Sequence, residues 1–206
     1  VLPDEVARAL TDYVQSGGVL LTDCRTGVKD ETNLCHKRTL PGLLSEPLGI
    51  TIEEYGTVPD GAKRRVRGKG PIEGEFDAIR YADWLTPRSA EVLAEYQDRH
   101  LKDFAAVTRN KFGGGTAFYV GTVVEQTAFY DSLMDHVLDT ARVKPLITPP
   151  EGVEVSVREA DGKRLLFLIN HTEQEQTVEV PAGKQALLGG GSTGDTVTLE
   201  VFGVEI

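Results

Sequence analysis

Apolar residues recur with two different periods between residues 104 and 143, and the rest of the chain is interpreted around this stretch. The segments Phe104–Lys111 and Thr116–Thr122 have the length of strands and are rich in β-branched and aromatic residues, with Gly113–Gly115 between them. Glycine readily takes the positive φ that a tight connection needs. The pattern therefore predicts a β-hairpin.

The second period follows the hairpin and is that of a helix. Apolar side chains recur at spacings of three and four, as on one helical face, at Phe129, Tyr130, Leu133, Met134, Val137, Leu138 and Ala141. Pro145 stops the pattern because proline cannot continue a helix. We expect a helix over residues 127–143 that covers one face of the sheet.

The first 24 residues predict a helix followed by a strand. Asp4–Gln15 is amphipathic, and Gly17 and Gly18 supply its end. Its apolar face contains Val6, Leu10, Tyr13 and Val14. Val19–Cys24 is apolar almost throughout, which is typical of a strand buried on both faces of a parallel sheet. The order is that of the second half of a βαβ unit, so we expect an α/β domain that lacks its first strand and belongs to a longer polypeptide.

The middle of the chain predicts a short helix and several added strands. Gly42–Leu48 is interpreted as a short helix closed by Gly49, and Ile50–Tyr55 as a strand. Residues 72–96 indicate further antiparallel strands. Trp84 lies in this region, where its ring either packs against neighbours or stacks on a sugar.

A stiff linker then separates two kinds of sequence. Residues 143–152 hold three prolines and a glycine, and we place the domain boundary there, with domains at 1–146 and 147–206. The second domain is predicted to be a small antiparallel sandwich or barrel, with a turn at Asp161-Gly162 and a glycine cluster after Leu188. Its six predicted strands are Val153–Val157, Arg164–Asn170, Gln176–Val180, Ala186–Leu188, Thr196–Val201 and Val204–Ile206.

The net charge of the chain limits the classes of partner that we expect. The net charge of −10 would repel phosphate, so nucleic acid and anionic membranes are not expected as partners. No apolar run approaches the roughly 20 residues that span a bilayer. A basic run sits within residues 58–70, and we interpret it as a solvated loop; its bases are Lys63, Arg64, Arg65, Arg67 and Lys69.

Two cysteines are too few for a disulfide framework, which favours free thiols and a reducing, cytoplasmic location. Cys35-His36 has no second spaced pair, so no metal site is expected, and no motif calls for a cofactor. Cys24 follows a strand, but a polar loop comes next instead of the sharp elbow into a helix that a cysteine nucleophile requires.

Residues 25–41 form a long polar loop that leaves the carboxyl end of the first strand. Ligands of open α/β sheets bind at such ends. The loop is therefore the candidate contact surface, although a solvated connection without a specific role stays possible. Its candidate residues are Lys29, Asp30, Glu31, Asn33 and His36.

The order of these segments resembles the C-terminal part of glycoside hydrolase family 42 β-galactosidases. The resemblance covers essentially the whole chain and depends on many ordered segments. They are Tyr13–Thr22, Thr26–Glu31, Leu40–Leu44, Leu48–Glu54, Ala106–Asn110, Gly113–Thr122, Leu166–Thr172 and Phe202–Val204.

The resemblance implies a three-part enzyme. An upstream (β/α)8 barrel would carry two catalytic glutamates, a glutamine-amidotransferase-like, flavodoxin-like domain would make a homotrimer, and a small β domain would end the chain. This chain corresponds to the last two parts only, so neither glutamate has a counterpart in it and no catalytic residue is expected. The barrel would hydrolyse terminal non-reducing β-D-galactosides.

Two functions remain open at this point. The favoured one is a non-catalytic trimerisation region, with the loop at 25–38 forming a wall of a substrate pocket or a partner contact. The alternative is a free-standing amidotransferase-like hydrolase or a carbohydrate-binding module that uses Cys24 or Trp84.

Overall fold

The computed structural model describes residues 1–189 and 194–206, which fall into two units, Val1–Val143 and Lys144–Ile206. The helices of the first unit are α1 (Asp4–Gln15), α2 (Ser45–Leu48, preceded by a 3-10 turn) and α3 (Thr127–Ala141). Its strands are β1 (Val19–Asp23), β2 (Ile50–Thr57), β3 (Arg64–Gly68), β4 (Glu75–Pro87), β5 (Glu91–Tyr96), β6 (Ala105–Phe112), β7 (Gly115–Val120) and β8 (Thr122–Val124). The predicted hairpin and helices are confirmed within a few residues.

The strands of this unit form one mixed sheet in the order β1-β7-β6-β5-β3-β4-β2, with β8 beside β4. Among the described strands of this sheet, only the β1–β7 pair is parallel, and the other pairs are antiparallel. The prediction of a parallel sheet was therefore right for this one pair and wrong for the rest of the sheet. Short connections such as Gly113-Gly114 force consecutive strands to run antiparallel. A bridge between Leu85 and Ala105 also pairs β4 with β6, which closes β6, β5, β3 and β4 into a ring.

Strand β7 lies at the centre of the layers. All six of its residues are buried. Ala117 and Tyr119 point to the face covered by α1 and α2, whereas Phe118 points to the face covered by α3. Phe129, Leu133 and Val137 of α3 complete that second core. The alternation of side chains along one strand therefore builds both cores of the unit.

Strand β1 differs from its prediction. It forms the edge of the sheet, and its residues are half-buried or exposed; Leu21 retains 37% of its exposure. The buried face of α1 also differs, because it is centred on Ala7 and Val14, while Val6 and Tyr13 are exposed. Apolar content predicted both elements correctly, but which side meets a neighbour is decided by the sheet order.

The basic run is also not a solvated loop, since residues 64–68 form β3 between β4 and β5. Strand pairing places each base beside an acid on a neighbouring segment, and each such surface pair contributes about 0–1 kcal/mol. The pairs are Lys63 with Asp77 and Glu125, Arg64 with Asp98, Arg65 and Arg67 with Glu75, and Lys69 with Glu95.

A buried carboxylate joins β4 to β7 and to the segment after β1. Asp83 is fully buried, and its Oδ2 accepts hydrogen bonds from the Tyr119 hydroxyl (2.7 Å) and the Arg25 amide (3.0 Å). The Tyr96 hydroxyl donates to the backbone carbonyls of Asp83 (3.4 Å) and Gly121 (3.2 Å). Burial raises the pKa of Asp83 above its ordinary value of 3.8.

The second unit contains two small antiparallel sheets. Strands β9 (Val153–Ala160), β10 (Lys163–Asn170) and β13 (Val204–Glu205) form one, and β11 (Gln176–Glu179) and β12 (Thr196–Leu199) form the other. The turn at Asp161-Gly162 is confirmed, with positive φ at both residues. Their shared core consists of Val153, Leu168, Val178, Val180 and Leu199.

Residues 186–188 do not form the predicted strand. The Leu187 amide donates to the Ile206 carbonyl at 2.8 Å, but the next two amides, of Leu188 and Gly189, donate to the Glu205 carboxylate, each at 2.9 Å, so no strand ladder forms. Leu187 and Leu188 are accordingly 54% and 60% exposed. The predicted glycine cluster lies partly outside the described residues.

The hairpin turn gives the first testable prediction. A Cβ atom on Gly115 would overlap the carbonyl oxygens of Gly18 and Val14, whereas one on Gly114 would lie 3.4 Å from the nearest atoms of Gly17. Gly115→Ala should lower the free energy of unfolding by about 2–4 kcal/mol. The matched control Gly114→Ala should cost less than about 1 kcal/mol. Urea unfolding followed by the fluorescence of the single tryptophan, Trp84, measures both; equal effects would contradict the packing described.

The buried carboxylate gives a second prediction. Asp83→Ala leaves the Tyr119 hydroxyl and the Arg25 amide without their acceptor, which should cost about 2–4 kcal/mol of unfolding free energy. Asp83→Asn keeps one oxygen acceptor and should cost less. Urea unfolding followed by Trp84 fluorescence compares the two variants.

The buried Asp83 carboxyl also predicts a pH dependence of stability. Because the pKa of Asp83 is raised in the folded chain, the stability due to this group is present at low pH and is lost as pH rises through the folded pKa. Asparagine does not titrate. As pH rises above about 4, Asp83→Asn should therefore gain stability relative to the unsubstituted chain. A constant difference between the two proteins would show that Asp83 does not titrate as described.

Candidate functional site

The polar loop after β1 folds back on itself to form a tongue, defined here as residues 28–36. Lys29 and Cys35 pair across it as an antiparallel bridge, and the His36 amide donates to the Val28 carbonyl at 3.0 Å. The Leu2 amide donates to the Lys29 carbonyl at 2.8 Å, which fastens the chain before α1 to the tongue. The loop is thus an ordered projection at the carboxyl end of β1.

The tip of the tongue is organised by Asp30. Its Oδ1 accepts hydrogen bonds from the Thr32 amide (2.9 Å), the Thr32 hydroxyl (2.7 Å) and the Leu34 amide (3.1 Å). The Thr32 hydroxyl has the largest part in holding the pKa of Asp30 below its ordinary value. Asn33 takes a left-handed φ of 67°, and its Oδ1 accepts from Lys29 Nζ at 3.0 Å. Short polar side chains that bond to nearby backbone are well suited to such a turn.

The five predicted contact residues therefore do not play equal parts. Lys29, Asp30 and Asn33 meet at the tip and use their polar groups to shape the tongue. Glu31 lies exposed beside them, and His36 is half-exposed at the base. Leu34, which was not among the predicted residues, is 66% exposed at the tip.

The base of the loop is fixed by groups that sequence reasoning missed. Arg25 has a left-handed φ of 72°, donates its amide to Asp83, and places its guanidinium 4.1 Å from the centre of the Tyr55 ring. Such a cation–π contact contributes about 0.5–2 kcal/mol. The Tyr55 hydroxyl lies 3.5 Å from Cys35 Sγ. The available signal was Asp83 itself, an acid inside the apolar run Ala82–Leu85.

Cys24 is poorly suited to act as a nucleophile. It is a free, half-buried thiol, and burial, with the nearby carboxylates of Asp83 and Asp23, raises its pKa to about 11. A catalytic cysteine needs the opposite shift, because the thiolate is the reactive form. The environment of Cys24 therefore opposes the alternative of a cysteine hydrolase.

The sugar-stacking alternative for Trp84 also loses support. The Trp84 ring is half-buried and packs against Phe104, with ring centroids 5.2 Å apart. In the second unit a cavity of about 490 Å³ is lined mainly by aliphatic side chains, including Leu146, Leu165 and Leu187. Its described lining includes no aromatic ring on which a sugar could stack.

In residues 1–189 and 194–206, the side chains of His, Cys, Asp and Glu form no group of three able to hold a metal ion. Over the same ranges, none of the helices has the length and apolarity needed to cross a bilayer.

Comparison with known proteins gives the family. Residues 1–144 match the β-galactosidase trimerisation domain and residues 152–206 match the β-galactosidase C-terminal domain. β-Galactosidase LacZ of Heyndrickxia coagulans is 34% identical over 196 residues, covering 94% of this chain and 29% of that protein. β-Galactosidase BgaA of Clostridium cellulovorans is 30% identical over 203 residues, covering 98% of this chain and 30% of that protein.

The solved structures agree with this assignment. The crystal structure of the β-galactosidase from Bacillus circulans sp. alkalophilus has a TM-score of 0.91 and 30% identity, covering 99% of this chain and 31% of that one. Gan42B, a GH42 β-galactosidase, has a TM-score of 0.87 and 25% identity over 99% of this chain and 30% of that one. The chain spans about 30% of the length of these relatives. The resemblance found in the sequence is confirmed, and the chain belongs to the glycoside hydrolase family 42 β-galactosidases, whose trimerisation and C-terminal domains it matches.

Proposed function

We propose that this chain is the non-catalytic assembly region of a longer β-galactosidase. Residues 1–146 would make the homotrimer and residues 147–206 would form the accompanying β domain. An upstream (β/α)8 barrel would hydrolyse terminal non-reducing β-D-galactosides, using two carboxyl groups about 5 Å apart. The match of residues 1–144 to a trimerisation domain carries this proposal.

We further propose that the first unit has a glutamine-amidotransferase-like, flavodoxin-like fold and has lost amidotransferase activity. Three observations support this fold: the parallel β1–β7 pair, helices on both faces of that pair, and a long loop at the carboxyl end of β1. The raised pKa of Cys24 agrees with the loss of nucleophilic chemistry. The function needs no cofactor, and a cytoplasmic location stays a prediction.

We assign the partner contact to the tongue. A loop already ordered by its own hydrogen bonds loses little conformational freedom on binding, so more of its contact energy remains as affinity. Glu31 and His36 present polar groups, and Leu34 presents an apolar one, beside a strand end where α/β proteins bind ligands. In the trimer, the tongue would contact a neighbouring subunit or form a wall of its galactoside pocket.

The assembly role is tested with a hybrid in which the part of the Bacillus circulans enzyme that precedes the matched region is joined to Val1. The hybrid should sediment as a trimer and hydrolyse o-nitrophenyl galactoside. The isolated preceding part should remain monomeric, and the 206-residue chain should show no turnover. Turnover by the 206-residue chain, or a trimer formed by the preceding part alone, would overturn the proposal.

The role of the tongue is tested in the same hybrid with the double variant Glu31→Ala/His36→Ala. Loss of one or two polar contacts, each contributing about 1 kcal/mol, should raise KM about 5–30-fold or weaken the trimer by a similar factor. Glu73→Ala/His100→Ala is the matched control, because both residues are exposed on other connections of the same unit. If both double variants behave like the unsubstituted hybrid, the tongue makes no contact of this kind.

A further inference from the structure

The cavity of about 490 Å³ in the second unit extends along β10. Its lining includes Leu166 and Leu168, which also belong to the shared core or pack against it. Three leucines from separate segments line the cavity and remain partly exposed, Leu146 (45%), Leu165 (39%) and Leu187 (54%). Pockets that bind small molecules have volumes of about 300–1,000 Å³ and mostly apolar linings. The size and the lining of this cavity are therefore those of a ligand site.

Backbone hydrogen bonds hold one wall of the cavity in place. The Leu187 amide donates to the Ile206 carbonyl at 2.8 Å. The next two amides, of Leu188 and Gly189, donate to the Glu205 carboxylate, each at 2.9 Å. These bonds fix the segment that carries Leu187 to β13 and the residue after it. The wall is therefore set by backbone pairing and does not depend on an occupant.

The lining favours a saturated carbon chain over water or a peptide. The leucine side chains offer no hydrogen bonds, whereas a water molecule in a cavity needs several polar partners. An extended peptide would bring an amide and a carbonyl at each residue, and burying such groups without partners costs free energy. A saturated carbon chain has no groups of this kind, so its burial against the leucines is favourable throughout.

The two ends of the cavity differ in charge. Lys163 and Arg164, at the start of β10, belong to the lining. Glu205 also belongs to it, but this residue pairs with Leu168, about 17 Å further along β10 than Lys163. The Glu205 carboxylate is already satisfied, because it accepts hydrogen bonds from three backbone amides, the third being that of Ile206. An anionic group on a ligand would therefore be placed at the start of β10.

Bases outnumber acids at that end. Within residues 1–189 and 194–206, the Lys163 ammonium group forms no ion pair. Arg164 pairs with Glu159, its register partner on β9, and Asp161 lies in the turn between these strands. Lys184 is the third base of the lining. Three bases beside two acids give this end a positive local charge, although the chain as a whole carries −10. A carboxylate is attracted there and an ammonium group is repelled.

We propose that this cavity binds a free fatty acid of medium chain length. The carbon chain packs along Leu165, Leu166 and Leu187, and the carboxylate accepts a hydrogen bond from the Lys163 ammonium group. The site lies within the second unit. Neither assembly nor galactoside hydrolysis needs it, so the inference goes beyond the proposed function and does not depend on it.

Titration calorimetry of the 206-residue chain tests the site, with dodecanoate below its micelle concentration as the ligand. At about pH 8 the carboxyl group is ionised and dodecylamine, of the same chain length, is protonated. Dodecanoate should bind at one site per chain and at least about 10-fold more tightly than dodecylammonium, because the charge of the head group is reversed. Binding that does not saturate, or equal affinity for the two compounds, would overturn the proposal.

Two leucine variants place the carbon chain. Leu187→Asp introduces a charge into the lining and should weaken dodecanoate binding at least about 10-fold. Leu188→Asp is the matched control, because Leu188 is 60% exposed and is not among the lining residues, so its substitution should leave the affinity unchanged. Equal effects of the two substitutions would contradict the proposed position of the chain.

A charge reversal places the carboxylate. Lys163→Glu should remove the preference for dodecanoate over dodecylammonium. Arg158→Glu makes the same change of charge at an exposed residue of β9 outside the lining, and it should keep the preference. Loss of the preference in both variants would show that the overall charge decides it, and would overturn the role of Lys163.

A measurement on the unsubstituted chain keeps the proposal falsifiable if the variants do not fold. Intermolecular nuclear Overhauser effects from the methylene groups of dodecanoate should reach the methyl groups of Leu146, Leu165 and Leu187. Effects confined to other residues would place the ligand elsewhere and overturn the proposal.

Discussion

The first unit depends on the burial of β7 on both faces at once. Tyr119 and Ala117 need apolar neighbours on one side, and Phe118 and Val120 need them on the other. Helices α1 and α2 meet the first need and α3 meets the second. Burial of large side chains contributes about 1.5–3 kcal/mol each, so a change that displaces β7 would open both cores together. The contact of Gly115 with the α1–β1 corner positions this strand at its start.

Polar groups in the interior of the first unit connect its strands to one another and to the loop after β1. Asp83 links β4, β7 and Arg25 through two accepted hydrogen bonds, and the Tyr96 hydroxyl bonds to two carbonyls nearby. Burial that makes Asp83 and Cys24 harder to ionise is costly for a nucleophile but compatible with a structural role. Asp83 holds Arg25 at the base of the tongue, so the same buried carboxylate that links β4 to β7 also sets where the tongue projects.

An assembly region and an enzyme use an α/β scaffold differently. Catalysis needs groups with shifted pKa values around an open space, whereas assembly needs ordered projections and apolar surface. The first unit has an ordered tongue with Leu34 exposed at its tip, and α3 exposes the apolar side chains of Tyr130, Met134 and Leu138.

Local pattern alone determined much of this protein. The period of Asp4–Gln15, the period of residues 127–141, the glycines between β6 and β7 and the Asp161-Gly162 turn all predicted elements that the structure contains, because helix period and turn chemistry act over a few residues. The ordered segments also identified the family. What the sequence could not decide was which elements become neighbours.

Tertiary structure decided the sheet order, and with it the main differences from prediction. Strands β1 and β7 are both apolar, yet only β7 lies between two neighbours, so only β7 is buried throughout. The basic residues of β3 became a paired strand because β4 and β5 brought acids beside them. Asp83 and Arg25 are 58 residues apart, and no local pattern relates them. Composition and period describe what a segment can form, but burial and charge pairing depend on long-range contacts that only the folded chain provides.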